Sequence, residues 1–225
     1  MENCIEVKHL SKAFGSGHTT RVVLDDCDFS IERGKLTALI GKSGSGKTTI
    51  LQILGGLLLA DQGEIVVDGE AIQNKTDAEL SDYRATKTGF VFQNFELLPD
   101  YTVEENICFV SDLQGRPRDP DWLEQLIEAL NLQGLEDRFP HELSGGEQQR
   151  TAIARALYHQ PVVIFADEPT GNLDNRNSDE VFWLLKDCAR RFNQTIVMVT
   201  HDLGLAKQSD RVLMIEEGKV FPYEA

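Results

Sequence analysis

Gly41-Lys42-Ser43-Gly44-Ser45-Gly46-Lys47-Thr48 decides the fold, because of what flanks it: an apolar run at 35–40 on one side and an apolar stretch at 48–60 on the other. The octet fits G-x-x-x-x-G-K-[ST] between a strand and a helix, the context that the pattern requires. Its glycines let backbone N–H groups wrap a phosphate chain, Lys47 supplies a cation for the β and γ groups, and Thr48 offers a hydroxyl to magnesium. A strand that delivers its ligand loop at its carboxyl end belongs to a parallel α/β sheet.

Further strands follow from the same rhythm. Val162-Val163-Ile164-Phe165-Ala166 runs straight into Asp167-Glu168, and Thr195 to Thr200 runs into His201. Between them Val181, Leu184, Leu185, Cys188 and Phe192 mark one face of a helix. At the carboxyl end of its strand, Asp167 can hold magnesium while Glu168 orients and deprotonates an attacking water. The first third reads as short strands and turns: Cys27, Phe29 and Ile31 alternate with polar residues, and Val66-Val67-Asp68-Gly69 ends a strand in an Asp-Gly hairpin turn. The middle turns helical, with Leu123, Leu126, Ile127 and Leu130 forming an apolar face after the start signal Asp119-Pro120-Asp121. No Gly/Pro/Ser-rich linker sets off residues 97–158, so this stretch is expected as a helical insertion within a single domain, 1–225.

A second phosphate-directed element stands ahead of the acidic pair. Leu143-Ser144-Gly145-Gly146-Glu147 has the spacing of a capping box, so a helix opening here presents free N–H groups and a positive dipole end to an anion. Gln93, after the strand Gly89-Phe90-Val91-Phe92, has the reach of an amide ligand to magnesium or water; taken without the other motifs, a surface glutamine at a strand end is the simpler reading. His201 can face the same crevice or serve structure alone. Phe14, ahead of Gly15-Ser16-Gly17, suits either stacking on an adenine base or core packing. Asn74-Lys75-Thr76-Asp77 spells the guanine-specificity element of small GTPases and Asp112-Leu113-Gln114-Gly115 imitates their D-x-x-G, but the order is reversed and both precede Asp167.

Composition narrows the function classes. The chain of 225 residues, 41% hydrophobic, suffices for a full core, and its formal net charge of −15 opposes an electrostatic footprint on nucleic acid or an anionic lipid surface. Any membrane role therefore runs through a protein partner. Cys4, Cys27, Cys108 and Cys188 lie far apart without a C-x-x-C, which points to neither a zinc site nor a disulfide framework. The amino-terminal residues lack the basic and apolar regions of a signal peptide, and the 48–60 stretch, read as the helix after the phosphate loop, is too short to span a bilayer. A cytoplasmic protein is expected.

Taken together, these motifs resemble the nucleotide-binding subunit of an ABC transporter along nearly the whole chain. In order, they are similar to an aromatic A-loop residue (Phe14), the Walker A loop (41–48), the Q-loop (Gln93), the signature (143–147), the Walker B strand with Asp167 and Glu168, the D-loop (Gly171-Asn172-Leu173-Asp174) and the switch histidine His201. The wording around Gln93 and Asp167 further resembles the macrolide-export, lipoprotein-release and antimicrobial-peptide-resistance branch. Phe14 stands where tyrosine is commoner and Glu147 where many relatives have glutamine.

The resemblance implies an α/β P-loop NTPase with a mainly parallel sheet core, an N-terminal antiparallel β subdomain and an inserted helical subdomain, the ABC ATPase fold. It implies ATP and Mg2+ as ligands. Glu168, His201, Gln93 and Lys47 are the implied catalytic groups, and Thr48, Gln93 and Asp167 the metal ligands. Nucleotide contacts fall to Phe14, Gly41, Lys42, Ser43, Gly44, Ser45, Gly46, Lys47, Thr48 and Thr49, with Ser144, Gly145, Gly146, Glu147 and Asp174 acting across an interface. Two subunits sandwich two ATP molecules, so the implied partners are a second copy or a similar subunit and a membrane permease. The permease contact is a segment, 93–101, that begins at Gln93 and ends at Tyr101, and nucleic acid is not a partner. The implied location is the cytoplasmic face of the membrane, the implied activity ATP hydrolysis that powers export of an amphiphilic substrate. The alternative is a regulatory ABC ATPase of the cell-division type that signals through a membrane partner.

Overall fold

Along each central strand, alternate residues enter different cores. The computed structural model describes residues 2–15 and 19–223, apart from the side chain of Asn175. Its larger sheet has six strands in the order β10-β9-β3-β8-β7-β6. These are β3 (Leu36–Gly41), β6 (Thr88–Phe92), β7 (Val163–Asp167), β8 (Thr195–Val199), β9 (Arg211–Glu216) and β10 (Lys219–Pro222). All neighbours are parallel except β10, which closes the edge as a hairpin with β9. Ala38, Ile40, Ile164, Ala166, Ile196 and Met198 point into one core, and Leu39, Val163, Phe165, Val197 and Val199 into the other. Strands buried on both faces read as unbroken apolar runs, which is why the sequence shows them clearly.

The second core lies between this sheet and an antiparallel one, ordered β2-β1-β4-β5. Its strands are β1 (Asn3–Phe14), β2 (Arg21–Glu32), β4 (Gln62–Val67) and β5 (Glu70–Ala71). The Asp-Gly turn holds: Asp68 and Gly69 have φ 52° and 76°, the left-handed pair of a tight hairpin. The expectation of short strands does not hold for β1 and β2, each 12 residues long. Register shifts interrupt their pairing, and His9 and Asp26 turn left-handed, so the alternation breaks while the strands continue.

Helix α1 (Lys47–Leu54) fills the space between the two sheets. It stops short of the 48–60 stretch because Gly55 and Gly56 terminate it, the Gly55 N–H bonding the Leu51 carbonyl and Gly56 turning to φ 69°. Helix α2 (Asp77–Lys87) was not legible as a helix. Its cap is Thr76 of the GTPase-like Asn74-Lys75-Thr76-Asp77, in a capping box with Glu79, so that tetrapeptide is a helix start. The imitation D-x-x-G lies across the end of α3 (Val103–Leu113), with Gly115 in the turn behind it.

On the opposite face, α3, α4 (Pro120–Ala129) and α5 (Gly145–Tyr158) enclose the first core, joined by α6 (Asn175–Arg191). The α4 start is as expected, Asp119 capping through the Trp122 N–H with Pro120 in the first turn. On α6 the buried stripe is wider than expected, adding Phe182 and Ala189. A four-residue helix, α7 (Leu203–Ala206), leads into β9.

Phe165 has no exposed surface and meets Phe90 at 5.6 Å between ring centroids, in the core against α1. Phe165→Ala should cost about 3–5 kcal/mol of unfolding free energy. Urea denaturation with an unchanged midpoint would show that this core does not carry the stability assigned to it.

Candidate functional site

Parallel register brings the polar residues to one edge. Leu39 pairs with Val199, Val199 with Asp167, and Asp167 with Phe92, so β3, β8, β7 and β6 end at one level. The phosphate loop, His201, Glu168 and Gln93 therefore leave the sheet side by side in that spatial order. A cleft of about 510 Å³ opens there, lined by Gly41, Ser43, Gly44, Gly46, Lys47, Thr48, Thr49, Glu168 and His201, together with Arg21 and Val23.

The loop is shaped for an anion. Gly46 is the residue before α1, at φ 109°, and a Cβ there would sit 3.0 Å from both Leu24 and Val23 side-chain atoms. It caps without a side chain, and among the described α-helices α1 is the one with no side-chain cap. Its first N–H groups are thus left for a ligand. Lys47 is buried, and its Nζ donates to the carbonyls of Gly41 (2.9 Å) and Lys42 (3.0 Å). Lys42 itself turns outward toward Glu216, and the Ser45 hydroxyl is buried beside Gly41; neither lines the main cleft.

Opposite the loop, the Thr48 hydroxyl donates to Asp167 Oδ1 at 3.2 Å. Burial pushes the Asp167 carboxyl up, reinforced by the charge of Glu168 and opposed by the Thr48 bond and Lys47. A half-desolvated carboxylate beside a hydroxyl oxygen is a hard-oxygen donor pair, which suits a small divalent cation. Glu168 adopts φ 47°, its N–H bonding the Val199 carbonyl and its own carbonyl accepting from Gly171. That conformation turns its side chain into the cleft, where Oε2 lies 3.3 Å from His201 Nδ1.

Other candidates lie outside the cleft. Gln93 follows the far edge strand, three strand spacings or roughly 14 Å from β3, and its amide donates to Asn172 Oδ1 at 3.0 Å. Phe14 is 43% exposed at the end of β1, which removes core packing as its role; of the turn behind it, Ser16 and Gly17 lie outside the described residues. Both carboxylate oxygens of Asp174 are engaged at the start of α6, by the N–H and the amide of Asn177. Ser144 caps α5 as its spacing predicts: its hydroxyl and N–H donate to Glu147, holding that carboxyl below its usual range. The Glu147 N–H is taken by the Ser144 hydroxyl at 3.4 Å, whereas the N–H groups of Gly145 and Gly146 find no protein acceptor among the described residues. A larger groove of about 960 Å³, beside α4, contains none of these groups.

Two lining residues were missed. Arg21 pairs with Phe14 across β1 and β2 and donates to the Gly44 carbonyl at 3.2 Å; Val23 follows on the same face. Only the strand register puts them there, and a bulged pair does not reveal its register in the sequence.

Comparison with known proteins agrees with this geometry. The family model for ABC transporters matches residues 24–171. The chain belongs to the ABC transporter family. The lipoprotein-releasing system ATP-binding protein LolD of Bacteroides fragilis is 42% identical over 96% of this chain and 99% of its own. An uncharacterised ABC transporter ATP-binding protein of Mycobacterium tuberculosis is 40% identical, over 97% and 89% respectively. A solved ATP-binding cassette in a dimeric post-hydrolysis state, bound to ADP and Pi, superposes with a TM-score of 0.86 at 32% identity, covering 98% of both chains. The protein is the subunit of an ABC transporter that binds and hydrolyses ATP to power a separate membrane permease. The fold is the ABC ATPase fold, and the regulatory alternative is not favoured. Among the described residues, no helix is long and apolar enough to cross a membrane.

The two loop carbonyls engage two of the three N–H groups of the Lys47 ammonium, and the residue lines the cleft. Lys47→Ala should weaken ATP binding about 10- to 100-fold, the worth of one charge-assisted hydrogen bond. A fluorescent-nucleotide titration giving wild-type affinity would remove Lys47 from the site.

Proposed function

We propose that this ABC ATPase drives extrusion of an amphiphilic substrate, with hydrolysis carried by the cleft between the phosphate loop and Glu168. The observation that supports this most directly is the gathering of Lys47, Thr48, Asp167, Glu168 and His201 at the carboxyl ends of three adjacent parallel strands. Relatives named as lipoprotein-releasing subunits favour a lipid-bearing cargo. We read residues 1–225 as one ATP-binding domain with 97–158 inserted. It works at the cytoplasmic face of the membrane through its permease, which it meets with segment 93–101.

The residues divide the work by chemistry. The free N–H groups of α1 and the Lys47 ammonium bind and orient the β and γ phosphates, with 41–49 wrapped around them and Phe14 under the base. Thr48 and Asp167 would hold Mg2+, joined by Gln93 once its loop moves inward; the ion, when bound, neutralises charge on the terminal phosphates. Glu168 Oε2 orients the attacking water and accepts its proton, and His201 steadies that carboxylate from 3.3 Å. Ser144, Gly145, Gly146 and Glu147 of one subunit, with its Asp174, close over the nucleotide of the other.

Glu168→Gln should retain ATP binding while lowering turnover by roughly 10²- to 10⁴-fold, the usual loss when a general base is removed. Size-exclusion chromatography with ATP should show the variant as a dimer. Turnover at the wild-type rate would take the general-base role from Glu168.

A mixing experiment tests the composite site. Ser144→Arg puts bulk and charge at the α5 end yet leaves the phosphate loop intact, so monomeric ATP binding should survive while hydrolysis is lost. Mixed with inactive Lys47→Ala, it should regain activity, because a mixed dimer contains one site with both defects and one with neither. If Ser144→Arg alone hydrolyses ATP normally, the signature does not act across the interface.

A further inference from the structure

Two consecutive residues between Gln93 and the helical insertion, Phe95 and Glu96, take left-handed backbone angles of φ 64° and 48°. Neither is glycine, and side chains with a Cβ rarely adopt this conformation, still less in succession. Two backbone bonds close the turn from within, the Phe95 N–H to the Phe92 carbonyl (3.2 Å) and the Glu96 N–H to the Asn94 carbonyl (2.6 Å), and neighbours brace it from outside. From the phosphate-loop side of the sheet comes Asn172, whose amide donates to the Gln93 carbonyl (3.0 Å) and Asn94 Oδ1 (2.8 Å). From α3 comes fully buried Asn106, which accepts from the Leu98 N–H and donates to the carbonyls of Leu98, Tyr101 and Thr102.

The two carbonyls of the strained pair are held from outside the turn by one side chain. Arg155 extends from the signature helix α5 and donates through Nη1 to the Glu96 carbonyl (2.6 Å) and through Nη2 to the Phe95 carbonyl (2.9 Å). Burial lowers its affinity for its proton, opposed by the charge of Glu96, and the side chain is partly buried where it makes these two bonds. A planar fork meets two adjacent carbonyls in a fixed relative orientation, which a single ammonium cannot do. The same helix approaches the turn at its other end, where a Cβ on Gly145 would lie 3.7 Å from the Phe95 ring.

We propose that Arg155 is a positioning residue that locks the left-handed Phe95-Glu96 turn to the signature helix, so that helix and loop move as one body. Closure of Ser144 over a partner's nucleotide then displaces segment 93–101, and the displacement reaches whatever docks on that segment. The inference rests on reading 93–101 as the permease-facing surface. The lock itself can be measured on the isolated subunit, independently of the permease and of hydrolysis.

Hydrogen exchange with mass spectrometry reads it directly. In nucleotide-free Arg155→Ala, amides of 93–101 should exchange at least about 10-fold faster, those of β7 and β8 should be unchanged, and fluorescent-ATP affinity should be retained. In a Glu168→Gln background, the ATP-induced change in exchange of 93–101 should be lost. Adding Glu96→Gly, which removes one left-handed penalty, should restore part of the protection. A purely structural role for Arg155 in α5 would not respond to that second change. If Arg155→Ala does not fold, Arg155→Lys keeps the charge without the fork and should exchange at an intermediate rate. Wild-type exchange of 93–101 in the folded variant, or uniform acceleration across α5 without rescue by Glu96→Gly, overturns the proposal.

Discussion

The cleft depends on the register of four parallel strands. Residues 163, 165 and 167 of β7 face the same side of the sheet, and the apolar members of that set, Val163 and Phe165, are buried in the core that also holds α1. Asp167 continues the set, so the packing that seats Phe165 also aims Asp167 at Thr48 on α1. A one-residue slip would exchange the two apolar sets and carry Asp167 to the opposite face. Hydrophobic sorting thus positions the polar chemistry, although no apolar side chain takes part in it.

Leaving the sheet at that level demands sharp turns, and strain collects where they occur. Glu168 holds a left-handed backbone that costs roughly 1–3 kcal/mol in a residue with a side chain, tolerated because both its backbone polar groups are bonded to neighbouring chain. Phe95 and Glu96 repeat the arrangement at the end of β6 with Arg155 as the outside support. In both places the strain falls at a strand end that carries a site candidate: Glu168 is one itself, and Phe95 follows Gln93 by two residues. A relaxed turn would leave each side chain free to point elsewhere.

How much of this was legible in the sequence follows from where each signal is stored. Buried parallel strands announce themselves as apolar runs, and α4, α5 and the Asp68-Gly69 hairpin carry their start or turn residues locally, so they could be read directly. The long strands β1 and β2 could not, because bulges at His9 and Asp26 break the two-residue period. Helix α2 buries only Leu80 and Tyr83, too few to set a helical period, and its capping tetrapeptide resembled a different motif. The candidates set by local spacing (Lys47, Thr48, Glu168, Ser144) stand at the loop, strand end and helix start where the sequence puts them. Arg21, Asn172 and Arg155 were not legible, since each works through a partner at least 20 residues away that only the tertiary fold supplies.

Net charge and ligand charge present an apparent conflict: a chain at −15 binds a polyanion. Screening confines the bulk repulsion to about 10 Å in ordinary salt, so the contest is settled locally. The acids are placed accordingly. Acidic residues cap or occupy the first turn of α2, α3, α4, α5, α6 and α7, where the helix dipole favours them, and α1 has none. An incoming phosphate therefore meets an internal carboxylate at those other six helix starts and open N–H groups with Lys47 at one. Helix α5 stands between the extremes: Glu147 closes part of its start, while the Gly145 and Gly146 N–H groups find no protein acceptor among the described residues.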